Sequence, residues 1–84
     1  MDIRQLREKA KGLDSVVRIG KMGVTPNQIA EIKKVLMKRK LIKVKMLPSF
    51  FEGKDKREVS QGLANDLGAQ LVDLIGNVIV LYKR

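Results

Sequence analysis

The sequence predicts an α+β fold in which helices pack on a mixed, four-stranded β-sheet. Three observations predict it. Short β-branched runs alternate with helical periodicity in the order α-β-α-β-α-β-β, the last two runs are joined by a two-residue turn signal, and one run alternates apolar with basic residues. Strand-helix-strand units require right-handed crossovers between parallel neighbours, whereas a closing hairpin is antiparallel, so the sheet has to be mixed.

Ile3, Leu6, Ala10 and Leu13 fall at helical spacing beside a second stripe of Arg4, Arg7 and Lys11, which reads as a first helix from Asp2 ended by Gly12. Val16-Val17-Arg18-Ile19 is a β-branched run stopped by Gly20, the first strand. Gly20-Lys21-Met22-Gly23 is then a loop. Thr25-Pro26-Asn27-Gln28 has the makings of a helix start: Thr accepts from the backbone at N3, Pro at N1 loses no needed donor, and Gln28 reaches back. The second helix buries Ile29, Ile32, Val35 and Leu36 and leaves Lys34 and Lys38 one turn apart outside.

Leu41 to Leu47 alternates, Ile42, Val44 and Met46 on one side and Lys43 and Lys45 on the other, a strand with one wet, positive face. Pro48 to Lys54 reads as a loop holding Phe50, Phe51 and Gly53, and Asp55 to Glu58 resembles a second capping box. The third helix carries Val59, Leu63, Ala64 and Leu67 as its apolar stripe, with Gly68 placed for a left-handed C-terminal cap. Leu71 to Ile75 and Val78 to Tyr82 are the last strands, with Gly76-Asn77 as the hairpin turn. One face of this sheet should carry helices, and Arg18, Lys43 and Lys45 leave the other at least partly open to solvent.

A chain of 84 residues suits one domain spanning residues 1–84, with one modest core. Cysteine and histidine are both absent, which removes thiolate nucleophiles, the commonest metal ligand and the usual general base near neutral pH. The carboxylates are scattered, with no pair spaced for acid-base work or for a metal, so the expectation is a non-enzymatic protein without a cofactor. No stretch approaches the roughly 20 apolar residues of a membrane helix, and the opening residues show no signal-peptide core; a cytoplasmic location is expected. Eighteen Lys and Arg against nine Asp and Glu give a net charge of +9, which favours a polyanionic partner.

Gly20-Lys21-Met22-Gly23 joins a strand to a capped helix N-terminus, where free amides and the helix dipole favour an anion. Glycine lets a phosphate come close to the backbone and Lys21 adds a full charge, so the loop is a plausible phosphate cradle. A turn needing positive φ explains the same glycines equally well. The spacing is neither a Walker loop nor a dinucleotide fingerprint.

From Lys33 to Lys45 the cations Lys33, Lys34, Lys38, Arg39, Lys40, Lys43 and Lys45 occur with no acid among them. Running down a helix and into a strand, they are expected to form one contiguous basic side, read as a binding surface rather than a merely solvated one, with Arg4, Arg7 and Lys11 adding to it. Phe50 and Phe51 either stack on unpaired bases or close the core, and the shortage of other aromatics favours the core.

Leu6, Ala10 and Leu13, the run Val16 to Thr25 with its Gly20-Lys21-Met22-Gly23, the run Leu41 to Lys45, and Val78 to Tyr82 preceded by Ile75-Gly76 together resemble the YhbY family. That family is the stand-alone form of the CRM domain, named for chloroplast RNA splicing and ribosome maturation. The resemblance covers nearly the whole chain in order. It implies a two-layer sandwich similar to the C-terminal domain of translation initiation factor 3, and RNA binding through a Gly-x-x-Gly loop like that of KH domains. It further implies ribosomal RNA or precursor large-subunit particles as partner, with Gly20, Lys21, Met22 and Gly23 taking the loop role and Thr25 beside them. Ser15 stands where the family usually has proline, and Arg39-Lys40 where it commonly has His-Glu.

The expected function is therefore RNA binding in ribosome assembly by Gly20, Lys21, Met22, Gly23 and Thr25, extended by Arg4, Arg7, Lys11, Arg18, Lys33, Lys34, Lys38, Arg39, Lys43 and Lys45. No small-molecule substrate and no membrane partner are expected. The competing reading is a basic adaptor that docks on acidic proteins.

Overall fold

A computed structural model describes residues 2–20 and 23–84. The elements in chain order are α1 (Ile3–Ala10), β1 (Ser15–Ile19), α2 (Pro26–Arg39), β2 (Leu41–Met46), α3 (Pro48–Phe51), α4 (Lys56–Leu67), β3 (Gln70–Ile75) and β4 (Val78–Tyr82). The four strands form one sheet in the order β1-β2-β4-β3. β1 and β2 are parallel because α2 crosses between them, while β4 runs antiparallel to both β2 and β3. The last strand thus inserts between β2 and β3, making the sheet mixed as the element order requires.

Local chemistry sets the helix ends. The Gln28 amide donates to Thr25 Oγ1 at 3.1 Å and the Thr25 amide donates to Gln28 Oε1 at 3.2 Å. Asp2 and Gln5 form the same reciprocal box at the start of α1, at 2.9 and 3.1 Å, which the sequence reading passed over. Such a cap stabilises a helix by about 1 kcal/mol. Asp55 makes only the forward half, accepting from the Glu58 amide at 3.0 Å; the Glu58 carboxylate instead lies in the first turn of α4, where the dipole favours it. Gly68 ends α4 at φ 65°, ψ 32°, the left-handed cap its position called for.

Two expectations about boundaries need correction. The segment after β2 is not wholly a loop, because Pro48–Phe51 closes a helical turn with Pro48 at its start. Phe50 and Phe51 are adjacent and both buried, and a helical turn keeps neighbours about 100° apart where a strand would send them to opposite sides. The first helix ends at Ala10 and not at Gly12: the Lys11 and Gly12 amides bond to Glu8 and Lys9 three residues back, tightening the last turn.

The core lies mainly on one side of the sheet. Ile19, Ile42, Val44, Met46, Ile79 and Leu81 pack there against Ile32 and Leu36 of α2, Leu63, Ala64 and Leu67 of α4, and the two phenylalanines. The opposite face carries α1, whose Leu6 and Ala10 pack on Val72 and Val80 with Leu41 and Tyr82 alongside. Since α1 touches β2, β4 and β3, the β1 edge of that face stays open. Ser60 of α4 is fully buried and its hydroxyl finds no hydrogen-bond partner.

Candidate functional site

β1 ends at Ile19 and leads into Gly20, while Thr25 caps α2, so the glycine loop spans the short gap between a strand end and a helix start. Lys21 and Met22 lie outside the described residues. The Gly23 amide donates to the Gly20 carbonyl at 3.0 Å, closing the turn. Gly23 has φ +82°, so the turn itself demands glycine there. Gly20 does not adopt positive φ, and a Cβ added to it meets only the Leu47 Cδ1 at 3.5 Å, an ordinary contact. Backbone geometry therefore explains Gly23 and leaves Gly20 unexplained.

Phe50 underlies this loop. A Cβ on Gly23 would lie 3.6 Å from the Phe50 ring, which itself meets Phe51 edge-on with centroids 5.6 Å apart. With both rings buried, 8% and 4% exposed, neither offers a face for a base to stack on. Their role is to close the core and floor the loop. Lys54 Nζ sits 5.1 Å from the Phe50 centroid, whereas Lys56 Nζ, 5.5 Å from that of Phe51, donates to Asn77 Oδ1 at 3.0 Å and is tied to the β3–β4 turn. Sequence reasoning missed Lys54 and Leu47. Nothing local marks them, since they join the loop only through the pairing of β1 with β2, where the Leu47 amide donates to Ile19 oxygen at 2.8 Å.

At the start of α2, Thr25 takes the Gln28 amide on its hydroxyl and the Ile29 amide on its carbonyl, and Pro26 has none to offer. No acidic residue occupies the first turn. The positive end of the helix dipole consequently faces the glycine loop without a carboxylate to neutralise it.

The basic run from Lys33 to Lys45 does not form one contiguous side. Lys33, Lys34 and Lys38 are exposed on α2, over the layer that covers one face of the sheet. Ile42, Val44 and Met46 point to that layer, and strand alternation sends Lys43 and Lys45 to the other face. Lys43 stands opposite Val80 and Lys45 opposite Val78 across the β2–β4 ladder, and Arg18 is the parallel neighbour of Lys45. Arg39 lies elsewhere again, in a recess with Gly12, Leu13, Asp14 and Leu41. Met37, 64% exposed between Lys33, Lys34 and Lys38, is an apolar residue the sequence reading did not single out, although it falls outside the buried stripe of the helix.

On the α1 face, Arg4, Arg7, Lys11, Lys43, Asp73 and Ile75 line a groove of about 280 Å³. Arg7 is held in place: its Nε donates to the Val72 carbonyl at 3.2 Å and lies 3.8 Å from Asp73 Oδ2. Lys11 and Glu8 pair at 3.2 Å in the open, an interaction worth little. Among the described residues, no three carboxylates gather to hold a metal ion and no helix is long and apolar enough to cross a membrane.

The chain is similar to known proteins over nearly its whole length. The family described as the CRS1 / YhbY (CRM) domain matches residues 1–83. A Bacillus subtilis relative named "Probable RNA-binding protein YqeI" is 45% identical over 81 residues, covering 96% of this chain and 82% of the relative. "Probable RNA-binding protein MJ0652" of Methanocaldococcus jannaschii is 39% identical over 95% of this chain, which spans only 59% of that relative. A Haemophilus influenzae protein named "RNA-binding protein" is 32% identical over 93% of this chain and 77% of its own length. The solution structure of SAV1595 from Staphylococcus aureus superposes with a TM-score of 0.81 at 38% identity, covering 98% of this chain and 83% of that one.

Proposed function

The chain belongs to the CRS1 / YhbY (CRM) domain family, and on that premise we propose that it binds RNA, without catalysis, by gripping the sugar-phosphate backbone at the strand-to-helix loop. The observation that carries this reading is Gly20. Neither φ nor packing requires a glycine there, yet a residue without a side chain is what lets a phosphate oxygen approach peptide amides at the positive end of a helix. Lys21 supplies a full charge within the loop, and Lys34 and Lys38 continue the positive surface along α2. Relatives named as RNA-binding proteins support the same ligand class.

The preferred RNA, in this proposal, is ribosomal RNA or a precursor large-subunit particle in the cytoplasm, in keeping with the YhbY-type resemblance. Backbone gripping carries little base information, so selectivity would come from the shape of such an RNA more than from its sequence.

The test uses Gly20→Ala. Its unfolding midpoint should stay close to that of the parent, because the new methyl meets only Leu47 at an ordinary distance. Its affinity for structured RNA should fall at least fivefold. The pair Lys21→Glu with Lys34→Glu should lose more than tenfold at moderate salt. Undiminished binding by both variants would sink the loop as the grip. Cross-linking in cells followed by sequencing identifies the RNA, and a partner that stays attached after nuclease treatment would favour a protein adaptor instead.

A further inference from the structure

Cations stand on both sides of one sheet in this protein. Lys33, Lys34 and Lys38 project from α2, whereas Arg18, Lys43 and Lys45 project from the opposite face, beside Arg4, Arg7 and Lys11 of α1. The far face is only partly covered. α1 sits over Leu41, Val72, Val80 and Tyr82, and beyond it the sheet opens onto Ile75, 56% exposed, and a half-buried Val78, with Arg18 and Lys45 exposed alongside.

This far face carries six cations against two acids, and both acids are already engaged, Asp73 by Arg7 and Glu8 by Lys11. Among the described residues, Arg4, Arg18, Lys43 and Lys45 enter no ion pair. Arg4, Arg7, Lys11 and Lys43 line the groove of about 280 Å³ together with both acids, and Arg18 and Lys45 lie outside it on the open part of the sheet. Lys33, Lys34 and Lys38 sit on the helix layer and Arg18, Lys43 and Lys45 on the other side of the sheet, so the body of the fold stands between the two sets. A straight run of phosphates lying along α2 therefore does not also lie on Lys43 and Lys45.

From this geometry we infer that the domain carries two RNA sites back to back and holds two RNA segments at once. The glycine loop and α2 grip one segment. The uncovered far face grips the other, with phosphates on Arg18, Lys43 and Lys45 and a ribose against Val78 and Ile75, along the cross-strand row Arg18-Lys45-Val78-Ile75 that runs beside the α1 groove. An acidic protein is the weaker occupant, because a floor of two aliphatic side chains is far smaller than the apolar centre of a stable protein interface. The inference rests on the RNA-binding reading above and adds bridging to it.

The experiment uses the whole chain and two short RNA hairpins, one bearing a donor dye and one an acceptor, with stoichiometry read by native mass spectrometry and proximity by energy transfer. The parent should bind two hairpins and bring the dyes together. Arg18→Glu with Lys45→Glu should leave one hairpin bound and abolish transfer; Lys34→Glu with Lys38→Glu should also abolish transfer while leaving one hairpin on the far face. Circular dichroism confirms that both variants fold, as exposed positions allow. A parent that binds one hairpin and never two, or an Arg18/Lys45 variant that still binds two, overturns bridging while RNA binding stands. Polyglutamate that occupies the far face where RNA does not also overturns it, in favour of an acidic protein. Absence of any RNA binding by the parent removes the functional reading and this inference together.

Discussion

Lys40 is held at φ 67°, ψ −40° where α2 ends, the one residue other than glycine with positive φ among the described residues. Its amide donates to Leu36 oxygen and its carbonyl accepts from the Lys83 amide, both at 2.8 Å, and these bonds hold a conformation costing an L-residue about 1–2 kcal/mol. Lys40→Gly should relieve that strain and raise stability by about 0.5–1 kcal/mol after its own entropic cost, read as a higher denaturation midpoint. Ser60 presents the same kind of cost in polar form. Its buried hydroxyl has no partner, so Ser60→Ala should stabilise the protein by about 1 kcal/mol, and a lower midpoint in urea would contradict this. Gly23→Ala should move the other way, by about 1–2 kcal/mol, because φ +82° is strained for any side chain even where there is room for it. Gly20 and Gly23 thus separate cleanly: one substitution tests binding, the other folding.

Among the elements, α1 has the thinnest anchorage. Only Leu6 and Ala10 are buried along its eight residues, with the Arg7 bond to the Val72 carbonyl as its main polar tie. Full burial of one leucine contributes roughly 2–3 kcal/mol, and ordering each residue's backbone costs about 1–2 kcal/mol, so the helix gains little beyond its capping box. Leu6→Ala should cost about 2–4 kcal/mol, and amide exchange should show α1 opening ahead of α2 and α4. Exchange in α1 as slow as in α2 would contradict this. The far-face groove depends on this helix, so the same Leu6→Ala variant should weaken binding there before it affects the glycine loop. Helix α2 behaves differently, since Ile32 and Leu36 sit at the centre of the main core and its outer cations ride on a rigid support.

Across the whole molecule the net charge of +9 is spread over both sides of the sheet, on α2 and on the far-face strands with α1. If one RNA segment meets about five phosphates' worth of this charge, a log-log plot of affinity against salt should have a slope of about −3 to −5. A slope near zero would exclude backbone gripping altogether. Each charge-reversed face should shift its own site more than the other, because the body of the fold stands between α2 and the far-face strands.

Much of this architecture was legible from the sequence. The Thr25–Gln28 box, the Asp55 cap, the Gly68 terminus and the Gly76-Asn77 hairpin depend on residues within four positions of one another, and the alternation of Ile42, Val44 and Met46 with Lys43 and Lys45 depends only on the pleat of a strand. Such signals are complete before any long-range contact forms. Which side of the molecule a basic residue occupies is another matter. Lys38 and Lys43 are near neighbours in the chain, yet helix rotation, strand alternation and the ladder with β4 carry them to opposite faces. Phe50 beneath Gly23, Leu47 beside Gly20 and Lys54 near the loop likewise follow from the pairing of β1 with β2. The sequence by itself determined seven of the eight elements among the described residues and most of their caps, because those interactions are local. Only the tertiary structure decided which residues share a surface, because register and packing bring together positions that no short-range rule connects.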